Sequence, residues 1–189
     1  MKALLEVAAG LDKALTTRGW RYCFIGGIAL QRWGQPRLTN DIDATILTAA
    51  GEETRCIDEL LTLYAARLPD ARNFAREHRV LLLASDDGIP IDIALGGIAF
   101  EEQAVSRATR YEFLPGLSLL TCSAEDLIVY KSFADRHRDW ADVETVLVRQ
   151  QAKLDWTYIL DQLRPLCQLK EAPEIIDHLL QLRSRPESR

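Results

Sequence analysis

The chain has 189 residues, 48% hydrophobic and 27% charged, which is long enough to bury a core and too apolar for wholesale disorder. A net charge of −5 argues against a generally basic nucleic-acid binder but leaves room for a local phosphate-holding patch. There is no apolar stretch of bilayer length, Glu6 falls too early for a signal peptide, and the four cysteines and three histidines are scattered. We therefore expect a cytoplasmic protein with no membrane partner, reduced and mostly buried thiols, and no zinc site.

Leu4, Leu5, Ala8, Leu11 and Leu15 recur at helical spacing, which predicts an amphipathic helix over 2–18, ended by Gly19 and packed on a sheet. Tyr22–Ile25 reads as a buried strand, followed by Gly26-Gly27 and a short helix over Ile28–Trp33 that Gly34 closes. A polar loop carrying Arg37 and Thr39 leads to a strand over Asp41–Leu47. A helix follows over Glu52–Leu68, with Ile57, Leu60, Leu61 and Tyr64 on one face. Arg72, Arg76, His78 and Arg79 form the densest basic cluster of the first half, either a solvated face or an acceptor-binding edge. Val80–Ala84 and Ile89–Leu95 pair as a hairpin around an Asp86-Asp87-Gly88 turn. Phe100–Val105 is helical, and Arg110–Leu114 and Leu117–Cys122 are the last strands.

From Ser123 the character turns helical: Ser123 and Asp126 form a capping-box start, and Leu127, Ile128, Tyr130, Phe133 and Ala134 give an apolar face. Asp155–Leu166 and Ala172–Leu182 read as two further helices, with Pro165 and Pro173 marking a break, and Arg183–Arg189 as a charged tail. The expected fold is α+β: a small mixed sheet with flanking helices over 1–122, then a C-terminal helical region over 123–189.

Alternate side chains of a strand share a face, so Asp41 and Asp43 point the same way at the start of their apolar run. Two carboxylates that close repel unless something positive lies between them, and a hard divalent cation is the economical answer. Gly26 and Gly27, between a strand and a helix, would let backbone amides approach a phosphate. A third carboxylate, Asp92, is the only charge in the run Ile89–Leu95.

Gly-Gly, thirteen intervening residues (28–40), Asp41-Ile42-Asp43 and the later lone Asp92 together resemble the signature of the polymerase-beta-like nucleotidyltransferase superfamily. Arg37-x-Thr39-x-Asp41-x-Asp43, and the K-x-x-A-x-R-x-R-D-x-x-D pattern of Lys131, Ala134, Arg136, Arg138, Asp139 and Asp142, look like its AbiEii/AbiGii toxin-like branch. The resemblance implies transfer of a nucleoside monophosphate from a nucleoside triphosphate to an acceptor hydroxyl, with release of pyrophosphate. It implies Asp41, Asp43 and Asp92 as ligands of two Mg²⁺ ions, or Mn²⁺ in their place, with Asp92 also the general base. It places Gly26, Gly27, Arg37, Thr39 and Lys131 at the nucleotide, although Arg138, Asp139 and Asp142 suit ion pairs equally well. Gly27 departs from the commoner Gly-Ser, whose hydroxyl also contacts phosphate. The implied acceptor is the 3′ end of tRNA, a protein hydroxyl or an aminoglycoside-like small molecule, and the implied partner is an antitoxin.

Other readings compete. Asp41-x-Asp43-x-Thr45 also matches haloacid-dehalogenase-like phosphatases, but there the strand precedes the aspartates and here it follows them. Metal-dependent glycosyltransferases use Asp-x-Asp without the upstream Gly-Gly or an isolated later aspartate. A non-catalytic nucleotide- or partner-binding module on the same scaffold would have to retain three clustered carboxylates to no purpose.

Overall fold

In a computed structural model that describes residues 1–49 and 51–185, seven strands form one mixed sheet. They are β1 (Tyr22–Phe24), β2 (Ile42–Leu47), β3 (Ala65–Ala66), β4 (Val80–Ala84), β5 (Pro90–Gly96), β6 (Thr109–Leu114) and β7 (Leu117–Thr121), in the order β3-β4-β5-β2-β1-β7-β6. The pairs β2/β5 and β1/β7 are parallel, and the other neighbours are antiparallel. The chain divides into two compact units, one of Met1–Ile28 with Leu38–Cys122 and one of Ala29–Arg37 with the chain from Ser123 onward.

The first unit holds the sheet and helices α1 (Lys2–Thr17), α3 (Glu53–Leu61), α4 (Ala71–His78) and α5 (Ala99–Ser106), and α2 (Gly26–Trp33) begins in it. Alternation decides its faces. Ile42, Ala44 and Ile46 of β2 and Ile91, Ile93 and Leu95 of β5 are buried in one cluster with Leu4, Leu11 and Leu15 of α1 and Ile57 and Leu60 of α3. The intervening Asp43 and Asp92 are thereby left on the opposite face. Truncating a core side chain such as Ile93 to Ala is expected to remove about 2–5 kcal/mol of stability. A buried polar clasp fixes α1 to the sheet: the Tyr22 hydroxyl donates to Asp12 Oδ1 at 2.5 Å, and Arg110 donates to Asp12 Oδ2 at 3.0 Å. Burial and the Asp12 carboxylate raise the Tyr22 hydroxyl to about 12.

The second unit packs α6 (Ala124–Ala134) against α7 (His137–Gln150), α8 (Trp156–Lys170) and α9 (Glu174–Ser184). Ser123 starts α6 as expected, its hydroxyl accepting from the Asp126 backbone N–H at 3.1 Å while Asp126 Oδ2 accepts from the Ser123 N–H at 3.3 Å. The αL conformation of Asp135 ends the helix.

Three expectations are corrected. The helix expected over Glu52–Leu68 stops at Leu61, because residues 65 and 66 turn back to pair with Ala84 and Leu83. Pro165 lies inside α8 instead of breaking it, flanked by the buried Leu163, Leu166 and Cys167. The short helix starts two residues early, at Gly26. Helices over Ala71–His78 and His137–Gln150 add to those expected, and the charged tail is helical as far as Ser184, with 186–189 outside the described residues. All four cysteines are buried, and no helix among the described residues is long and apolar enough to cross a membrane.

Candidate active site

Asp43 and Asp92 are register partners on the parallel pair β2 and β5, so their side chains stand on one face of strands about 4.8 Å apart. Each lies near the start of its strand, and Asp41 directly precedes β2. Asp41 is fixed locally: its Oδ1 accepts a hydrogen bond from the Thr39 hydroxyl at 2.8 Å. It is also close enough to act on Asp92. Burial raises the Asp92 carboxyl above its ordinary value, the Arg67 guanidinium opposes that, and the charge of Asp41 adds to it. The structure thus brings Asp41, Asp43 and Asp92 to one end of the β2/β5 pair.

The glycine pair is pressed onto these acids. Gly26 has φ +54°, and a Cβ there would lie 2.0 Å from Asp43 Oδ2. A Cβ on Gly27 would lie 2.2 Å from Thr39 Oγ1 and 2.7 Å from Thr39 Cβ. Both positions therefore require glycine for close approach, and Gly26 for its backbone angle as well. The space that a residue-27 side chain would fill is held by the buried Thr39. The backbone closes the same contact, the Ile25 N–H donating to the Asp43 carbonyl at 3.0 Å.

Arg67 is a member of this constellation that sequence reasoning missed. It follows the two-residue β3, and its guanidinium donates to Asp92 Oδ1. No local pattern marks it, since the contact spans 25 residues and depends on the pairing of β3 with β4. Among the described residues no group of three or more His, Cys, Asp or Glu side chains is gathered so as to hold a metal ion. The donor set nevertheless suits a hard cation: Asp41, Asp43 and Asp92 supply only carboxylate oxygens, the ligands that Mg²⁺ and Mn²⁺ prefer.

Lys131 and Arg37 belong to the second unit and meet there. The Lys131 ammonium, in a residue only 6% exposed, donates to Asp139 Oδ1 at 2.9 Å and Asp142 Oδ2 at 2.7 Å. Arg37 grips the same Asp142 with both ends of its fork, Nε to Oδ1 and a terminal nitrogen to Oδ2, each at 2.7 Å. Arg136 donates to Asp139 Oδ2 at 2.6 Å. Burial works to raise the Asp142 carboxyl, but Arg37 and Lys131 outweigh it and hold the group below its ordinary value. Two of the three Lys131 donors are thus taken by carboxylates.

The basic cluster after α3 is largely engaged within its own unit. Arg72 pairs with Asp58 at 2.6 Å, Arg79 reaches Glu53 at 3.2 Å and the Leu95 carbonyl at 2.5 Å, and the His78 ring lies 4.4 Å from that of Phe74.

A family model described as "Nucleotidyl transferase AbiEii toxin, Type IV TA system" matches residues 17–168. No curated protein sequence matches significantly. Among solved structures, an antigenic nucleotidyltransferase-like protein from Paracoccidioides brasiliensis superposes with a TM-score of 0.53 at 17% identity, over 94% of this chain and 92% of that one. The lincomycin-bound lincosamide antibiotic adenylyltransferase LnuA gives 0.48 at 16% identity, over 71% and 90%. The antibiotic-resistance factor ANT(2″)-Ia gives 0.47 at 17% identity, over 95% and 88%. The Paracoccidioides brasiliensis protein shares the fold, and identity this low speaks to the fold alone.

Proposed function

The chain belongs to the nucleotidyl transferase AbiEii toxin family and is a nucleotidyltransferase, and from that premise we propose that it is a cytoplasmic toxin held in check by an antitoxin. On this reading it moves a nucleoside monophosphate from a nucleoside triphosphate to an acceptor hydroxyl on tRNA or protein. The observation that carries the assignment of the site is the register of Asp43 with Asp92, with Gly26 against Asp43 and Asp41 beside them.

Asp41, Asp43 and Asp92 would hold two Mg²⁺ ions, or Mn²⁺, which when bound neutralise phosphate charge and acidify the attacking hydroxyl. Asp92 has the stronger case as general base, because burial makes its carboxylate more basic than an ordinary aspartate. It takes the acceptor proton as the acceptor oxygen attacks the α-phosphorus in line; the bond from that phosphorus to the bridging oxygen breaks, and pyrophosphate leaves. On this reading the first N–H groups of α2, which have no partner within the helix, would face the β- and γ-phosphates. Thr39 holds Asp41 in place.

The test is label transfer. The protein is incubated with each of the four α-labelled nucleoside triphosphates, Mg²⁺, and total RNA or total protein from growing cells. Labelling of one pool that falls by about 10²–10³-fold in Asp43→Asn supports the assignment. Equal labelling by wild type and Asp43→Asn contradicts it.

A further inference from the structure

We propose that Arg67 is a positioning residue of this site: its guanidinium is a built-in cation that holds Asp92 and competes with a divalent ion for that carboxylate. The inference rests on the reading of Asp41, Asp43 and Asp92 as the metal-binding acids, and it assigns a role to a residue outside every motif in the chain.

Placement is the first argument. The strand β3 has only two residues, Ala65 and Ala66, and both are exposed, so it contributes nothing to the core. What it does is deliver the next residue. Ala65 and Ala66 pair with Ala84 and Leu83, and the Arg67 N–H then donates to the Leu82 carbonyl at 3.0 Å. Leu82 is the register partner of Asp92 on β4/β5. The backbone of Arg67 is thereby anchored two strands from Asp92, and its side chain spans the intervening β4 to reach the carboxylate.

Accessibility is the second argument. The side chains of Arg67 and Asp92 are 32% and 33% exposed, so water and ions reach the pair. An ion pair of this kind exchanges readily and is worth little on its own. The contact is made to one carboxylate oxygen, Oδ1, by one terminal nitrogen, short of the full two-point grip that a guanidinium offers a carboxylate. Such a pair is placed to give way to a divalent ion.

Charge is the third. Asp41 acts on Asp92, and Asp43 stands beside Asp92 on the neighbouring strand. Arg67 supplies positive charge to that gathering of acids, so they are tolerated in the folded chain before any cation arrives. A divalent ion entering at Asp92 must take the oxygen that Arg67 holds, and the arginine lowers apparent metal affinity by the strength of its own bond.

Manganese binding tests this without reference to catalysis. Mn²⁺ is titrated into the nucleotide-free full chain, and free Mn²⁺ is followed by electron paramagnetic resonance for wild type, Arg67→Gln, Arg67→Lys and Asp43→Asn. We expect Arg67→Gln to bind Mn²⁺ about three- to tenfold more tightly than wild type, Arg67→Lys to fall between them, and Asp43→Asn to weaken binding by about tenfold or more. Thermal melts report whether each variant is folded, and Arg67→Lys, which keeps the charge, carries the test if Arg67→Gln is not. Binding that Asp43→Asn weakens, but that neither Arg67 variant tightens, overturns the role of Arg67 and leaves the metal-binding acids standing. Binding that is absent, or indifferent to Asp43→Asn, removes the metal reading and the inference with it.

Discussion

Asp142 and Asp92 are both partly desolvated carboxylates, and burial pushes both upward, yet Asp142 ends below its ordinary value and Asp92 above it. The difference lies in the partners. Asp142 accepts from two cations at 2.7 Å, Arg37 and Lys131, and its side chain is 5% exposed. Asp92 has a single guanidinium and a like-charged neighbour in Asp41, and its side chain is 33% exposed. A sealed, cation-rich carboxylate is held tightly in its charged form, whereas a more open one with a single cation and a like-charged neighbour is not.

Breaking the sealed group is the largest effect expected. Asp142→Asn leaves Lys131 and Arg37 short of a carboxylate in a buried setting and should lower unfolding stability by about 3–5 kcal/mol, read from the midpoint of a urea titration. A change well under 1 kcal/mol would mean that the pair is solvated in practice.

Pressing on the glycine pair comes next. Gly26→Ala meets both a positive φ and the Asp43 carboxylate at 2.0 Å, and should destabilise by about 1–3 kcal/mol while lowering nucleotide affinity. Gly27→Ser restores the residue commoner at this position in the superfamily, but its Cβ collides with Thr39, which holds Asp41. Calorimetry should therefore show weaker nucleotide binding in Gly27→Ser, where a missing phosphate hydroxyl alone would predict tighter binding.

The pH dependence separates the two groups by sign. The folded value of Asp142 is lowered from an ordinary 3.8, so its contribution is complete above that pH and is lost as pH falls through the lower folded value. Asp142→Asn should flatten the acid limb of a stability-against-pH curve. Asp92 is raised, so its contribution is present below 3.8 and fades as pH rises through the folded value. Asp92→Asn is accordingly expected to change stability at neutral pH by no more than about 0.5 kcal/mol, a small effect for a change that should abolish transfer.

Much of this arrangement was legible along the chain because it is local or periodic. The Val80–Ala84 and Pro90–Gly96 hairpin follows from two apolar runs around a turn, where Gly88 takes φ +75°. The spacing of Gly26-Gly27 and Asp41-x-Asp43 is set by one short helix and the loop that follows it, contiguous in the chain. What was hidden is non-local. Helical periodicity runs past Leu61 to Tyr64, but pairing of residues 65 and 66 with β4 claims the chain there, and that same pairing delivers Arg67 to Asp92. Pro165 lacks a donor, yet burial of the leucines around it keeps α8 continuous. Arg37 and Asp142 lie 105 residues apart, so the network that joins them to Lys131 is visible only in the fold.

The measurement that bears most directly on the open acids as the seat of nucleotidyl transfer is calorimetric titration of each of the four nucleoside triphosphates, with and without Mg²⁺, into wild type, Asp41→Ala/Asp43→Ala and Asp92→Asn. Binding that requires Mg²⁺ and is lost in the double variant, while each variant melts as a folded protein, is the expected result. Binding that is indifferent to Mg²⁺ or survives loss of Asp41 and Asp43 would contradict it and place the nucleotide elsewhere on the chain.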